Sequence, residues 1–218
     1  MRNLTRTGWA VMTVLSALVV LISSRYVTFD PDTFSGNQRA TYLAHELPLY
    51  IHIFGAITAL ALGPWQFSAR LRRRSPRWHR RIGRAYLLGC LVGGIGALLL
   101  APIAYGGPVA RLGFAGLGVA WLIAGGTGLR MILHRRVEDH RRWMIRSFAL
   151  TFAAVTLRLM LMVAQAAHLD FRVSYMAIAW LCWVPNLLLA WWFTRARPAR
   201  QADRSPVRVK VTPGGRQM

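Results

Sequence analysis

Apolar residues run in long blocks along this chain, separated by short stretches crowded with arginine. Six blocks, near 8–24, 48–67, 82–104, 112–132, 147–167 and 175–193, contain no Asp, Glu or Lys. Their length is about the 17–25 residues with which an α-helix crosses the hydrocarbon of a bilayer. Lipid offers no water to backbone amides, so each block is predicted to be a helix. The pattern therefore predicts an all-α, polytopic transmembrane bundle over residues 1–193, followed by a basic tail over 194–218. The tail carries Pro198, Pro206 and Pro213 and reads as disordered, lying against anionic headgroups. Blocks three and four are rich in glycine, with Gly89, Gly93, Gly94 and Gly96, then Gly113, Gly116, Gly118, Gly125, Gly126 and Gly128. Small residues so spaced let helix backbones approach closely.

Charge sharpens this picture. The 218 residues are 55% hydrophobic with mean hydropathy +0.34, yet 28 Lys+Arg face only 7 Asp+Glu, a net charge of +21. All those cations but Lys210 are arginine. With the N-terminus inside, 23 of the 28 fall in cytoplasmic segments: Arg2 and Arg6, the clusters at 70–84 and 130–146, and the tail. That asymmetry predicts both termini in the cytoplasm and places the protein in an inner (plasma) membrane. It also explains the charge without nucleic acid, since the cations sort by membrane side. A disordered basic chain would lack nine Trp and nine Phe. Arg2 and Arg6 before an apolar run could describe a signal peptide, but the run ends in "LVVLISSRYV" without an Ala-x-Ala site, which fits an uncleaved anchor better.

Three features exceed what a plain bundle needs. First, Trp78-His79-Arg80-Arg81 and His140-Arg141-Arg142-Trp143 stand at the cytoplasmic entries to blocks three and five, each placing a His beside cations where the chain enters the bilayer. The bland reading is topogenic charge; the other is a convergent pair of ligands. Second, His52 lies inside block two, where an ionisable group lines a cavity, a cofactor or a pathway, or makes an interhelical hydrogen bond. Third, Arg158 sits near the middle of block five, about 14–18 Å from either end at 1.5 Å per residue. It cannot deprotonate, and no block supplies a carboxylate. Asn186, Gln165 or the carbonyl of Leu181, freed by Pro185, are internal candidates as partner, and an external anion is the alternative. His45, His134 and His168 lie in loops or at block ends. Cys90 and Cys182 lie within blocks as packing residues, without metal spacing. No Ser/His/Asp order, carboxylate pair, HExxH or CxxC pattern points to hydrolytic chemistry, and no catalytic residue is assigned.

The stretch His52–Phe67, "HRRIGRAY" at 79–86 and "HRRWMIRSFALTFAAVTLR" at 140–158 resemble a family of bacterial membrane proteins known as domain of unknown function 2306, over about residues 48–160. That resemblance implies a polytopic inner-membrane protein. "HIFGAITALALGPWQFSARLRRRSPRWHRRIGRAY" is also similar, more weakly, to six-span b-type cytochromes that pass electrons to ferric iron. The second likeness implies haem b held by His pairs on helices two apart, which His79 and His140 match, with Arg80 and Arg141 placed for the propionates. Block four has no His, so His52 lacks the partner for a second haem, which would have to use His45 or His168. Three functions follow as expectations: a haem-b electron carrier with a redox partner, a binding or transport protein for an anionic lipid-like molecule at Arg158, or a non-catalytic subunit of a membrane assembly.

Overall fold

The computed structural model describes residues 5–28, 30 and 39–195. Ten α-helices and no strand occur among them. They are α1 (Arg6–Ser24), α2 (Arg39–Leu43), α3 (Glu46–Gln66), α4 (Ala69–Arg74), α5 (Pro76–Leu100), α6 (Pro108–Leu133), α7 (Val137–Thr151), α8 (Ala153–Ala166), α9 (Phe171–Leu181) and α10 (Val184–Thr194). Six stretches are long and apolar enough to cross a membrane: α1 with the short helical turn after it, α3, α5, α6, α7–α8 and α9–α10. The predicted tail lies outside the described residues.

Local sequence sets the boundaries. Thr5 accepts from the Gly8 amide at 3.1 Å to start α1, and Asp170 accepts from Val173 at 2.8 Å to start α9. Pro76 and Pro108 open α5 and α6, where a missing N–H costs nothing. Arg135 and His168 take left-handed φ of 59° and 51° and close α6 and α8. The spans outrun the apolar blocks at their arginine-rich ends. The third begins at Pro76 and the fifth at Val137, so His79 and His140 stand in first helical turns rather than in loops.

Two blocks read from sequence as single helices are broken. α7 yields to α8 at Phe152, and α9 yields to α10 at Cys182–Trp183, just before Pro185. Proline has no amide hydrogen and clashes with the preceding turn. Asn186 holds the two breaks together, its amide donating to the Cys182 carbonyl at 3.0 Å and to Thr156 Oγ1 at 2.9 Å.

Glycines make the tightest seam, between α3 and α5. A Cβ on Gly55 would collide with the backbone of Gly93, and one on Gly96 would meet His52 Cα at 2.8 Å. Gly113 rests against Ala179 in the same manner, whereas Gly126 has open space around it and no packing role. α5 also packs on α6, and α6 on α7. Where those three meet, Tyr86, Cys90, Trp121, Phe148 and Leu150 are buried. Leu88, Leu112, Met162, Val163 and Phe193 are exposed instead, an outward apolar surface suited to lipid.

Candidate functional site

Contacts among span ends define one end of the bundle. Trp9 donates from its indole to the Pro64 carbonyl at 2.9 Å, Arg72 to the Gln66 carbonyl at 2.9 Å, and Arg146 to Thr194 Oγ1 at 3.3 Å. Arginines stack on tryptophans at this end, Arg81 on Trp78, Arg146 on Trp143 and Arg195 on Trp191. The face thus combines cations with an aromatic belt.

His79 and His140 lie near each other at this end. His79, in the first turn of α5, lies within electrostatic reach of His140, Arg72 and Arg80. Its Nδ1 is buried and makes no hydrogen bond. His140, in the first turn of α7, has Nδ1 at 2.7 Å from the Gly128 carbonyl. A carbonyl only accepts, so that nitrogen carries the proton and Nε2 is left with its lone pair. Gly128 leaves room for Met144, whose Sδ would lie 2.7 Å from a Cβ placed there.

Cations surround the pair with little to neutralise them. Burial, then Arg141 and Arg73, push the Arg72 guanidinium below its ordinary pKa. Asp139 is engaged elsewhere, accepting from Arg136 at 2.7 Å and Arg142 at 3.1 Å. Gln66 Nε2 is another buried donor without a partner, one turn of α5 away from His79 where the Gln66 side chain lies against Gly83. Arg72 and Gln66 escaped the sequence reading, since Arg72 sits in an arginine run whose spacing singles out no member.

The other two candidates meet at the opposite end. His52 Nδ1 donates to the Gly93 carbonyl at 2.9 Å across the glycine seam, again leaving Nε2 free to accept. Arg158 lies within electrostatic reach of His52. The guanidinium donates to the Ala154 carbonyl at 2.9 Å and to Ser23 Oγ at 2.8 Å. None of its expected internal partners is used. Asn186 is committed to the helix breaks and Gln165 is exposed. The long side chain reaches instead to the last turn of α1, with Tyr26 and Tyr42 also in electrostatic range. His45 and His168 are exposed; His45, just before α3, bonds the Thr41 carbonyl of α2 through Nδ1, and His168 follows the end of α8. An apolar cleft of about 350 Å³ between α8 and α9, lined by Leu159, Val163 and Ile178, contains none of these groups.

A polar knot separates the two ends. Tyr86 Oη lies 2.9 Å from Ser147 Oγ and 3.0 Å from Thr151 Oγ1, while the Trp121 indole donates to Thr151 at 2.9 Å. Cys90 packs beside it as an inert thiol, as its span position suggested.

The family described as predicted membrane protein (DUF2306) matches residues 49–194. The chain belongs to this family. The DUF2306 match takes in His52, His79, His140 and Arg158 but leaves out α1, and with it Ser23. No curated protein and no solved structure matches the chain.

Proposed function

We propose that this integral membrane protein is a haem-b-binding electron carrier of the inner membrane, in which His79 and His140 would hold the haem iron. One observation carries the reading: the first turns of α5 and α7 bring two imidazoles within electrostatic reach of each other, amid cations. The residues fit the group in their donor chemistry. His140 donates from Nδ1 to the Gly128 carbonyl, which fixes the ring and leaves Nε2 for a metal. His79 carries a buried nitrogen with no protein partner, which the site otherwise leaves at a cost. Arg72, Arg80 and Arg141 offer the positive charge that two propionates need, and Gln66 offers a further donor.

When bound, haem supplies a one-electron couple at its iron. The chain's part is to orient the imidazoles, exclude water through Trp143 and Met144, and set the potential through charge. Uncompensated arginines nearby favour the reduced, less positive centre. No second histidine pair forms among the described residues, so the reading is of one haem, exchanging electrons at the arginine-rich face with a partner of acidic surface. Both termini are placed on the cytoplasmic side by the same charge asymmetry.

The test is the haem content of detergent-purified protein from cells supplied with haem precursor. Wild type and His52→Ala are expected to retain haem, and His79→Ala and His140→Ala to lose it. A folded wild type without haem, or retention in both ligand variants, rejects the assignment.

A further inference from the structure

Arg158 is left with a charge that the described residues do not neutralise. It lies roughly 12 Å from the Ala166 end of its span, at about 1.5 Å per residue. A guanidinium stays charged at any pH the membrane meets. Its hydrogen-bond acceptors, the Ala154 carbonyl and Ser23 Oγ, are neutral. Asp139 is committed to Arg136 and Arg142 at the opposite end. Neutral acceptors satisfy N–H groups but leave a buried cation electrostatically exposed to hydrocarbon, which is costly unless an anion joins it.

We propose that Arg158, with Ser23, His52 and Tyr42 around it, is a binding site for one acidic headgroup, a carboxylate or a phosphate, entering from the end opposite the arginine-rich face. The four residues come from α8, α1, α3 and α2, so the site is assembled by the fold rather than by any local motif. Arg158, His52 and Tyr42 all retain some exposed surface, which leaves a headgroup a way in. His52 is fixed by Gly93 and presents Nε2, an acceptor for the hydroxyl that a monoanionic phosphate retains. Tyr42, within electrostatic reach of the guanidinium, adds a neutral phenol at the edge of the site. The chemistry differs from the other end, where many arginines offer diffuse attraction. Here a single desolvated cation is bounded by fixed polar groups, an arrangement that selects one headgroup. The site does not depend on haem.

The experiment measures thermal unfolding of the purified full chain in neutral detergent, titrated with oleate, dioleoyl phosphatidic acid, inorganic phosphate or dioleoyl phosphatidylcholine. Oleate or phosphatidic acid is expected to raise the Tm, and phosphatidylcholine to leave it unchanged. A rise with phosphate alone assigns the site to a free anion, and a rise only with the acyl forms assigns it to a lipid. Arg158→Gln is expected to weaken the acidic ligand about tenfold or more, the equivalent of one charge-assisted hydrogen bond. Arg77→Gln, an exposed cation at the other end, should change nothing. Should Arg158→Gln not fold, His52→Gln, which keeps a donor for Gly93, and Ser23→Ala serve in its place, each weakening binding several-fold. Unchanged affinity in the folded variants overturns the proposal, as does a wild type indifferent to all four probes. Asp32 is an acidic residue between α1 and α2 in the sequence, and a loss of Tm in Asp32→Asn equal to that in Arg158→Gln, without any ligand response, also overturns the proposal by assigning the counter-ion to the chain itself.

Discussion

At the residue scale, the most consequential groups are those whose partner could not be read from neighbours in sequence. His52 and Arg158 stood out as ionisable residues against an apolar background, and His140 as a His repeated beside cations at a span entry, and that much was legible. Their partners were not, because Gly93, Gly128 and Ser23 offer a carbonyl or a hydroxyl that every chain has in abundance. Only the packing of α3 on α5, of α6 on α7 and of α1 on α8 selects one. The polar knot was hidden for the same reason. Tyr86, Ser147, Thr151 and Trp121 are ordinary membrane-helix residues until three helices place them within 3.0 Å. Tyr86→Phe should lower stability by about 0.5–1.5 kcal/mol, since interhelical hydrogen bonds in lipid are worth that order. Its check is the unfolding midpoint in detergent; no change would mean that Ser147 and Thr151 find equal partners within α7. Gly55→Val should cost more, about 1–3 kcal/mol or outright misfolding, because the added carbons collide with the Gly93 backbone and not with a movable side chain.

Elements were read well where composition alone decides them and less well where geometry intervenes. Each of the six apolar blocks became a span, though the helices outrun the blocks at their arginine-rich ends, and the glycines of blocks three and four largely pack as their spacing implied. Yet the partner of Gly93, Gly55 in the second span, carried no such signal because it stands alone between Phe54 and Ala56. The breaks in the last two spans also went unseen. Pro185 was visible as a defect, but that it coincides with a second break at Phe152, bridged by Asn186, depends on α10 lying against α7. Asn186→Leu keeps the volume near and removes the bridge; it is expected to lower the Tm by a few degrees, corresponding to about 1 kcal/mol. Equal stability of that variant would show that the breaks are held by apolar packing alone.

For the whole molecule, the fold has two polar ends joined by an apolar shaft with one hydrogen-bonded knot inside it. The arginine-rich end carries the His79–His140 pair, and the other carries Arg158 with His52. We propose from the charge asymmetry that the arginine-rich end faces the cytoplasm, and a fusion at residue 195 checks it. Alkaline phosphatase joined there should be inactive and a fluorescent protein bright; an active phosphatase would invert the bundle and put the proposed haem at the outer face. The central claim is that the histidine pair carries electrons through haem b. It is tested most directly by a reduced-minus-oxidised absorbance spectrum of the purified wild-type protein beside His79→Ala and His140→Ala. The account predicts a reversible haem-b difference spectrum in the wild type that both substitutions abolish while the fold persists. A featureless difference spectrum from folded, haem-supplied wild type would contradict it.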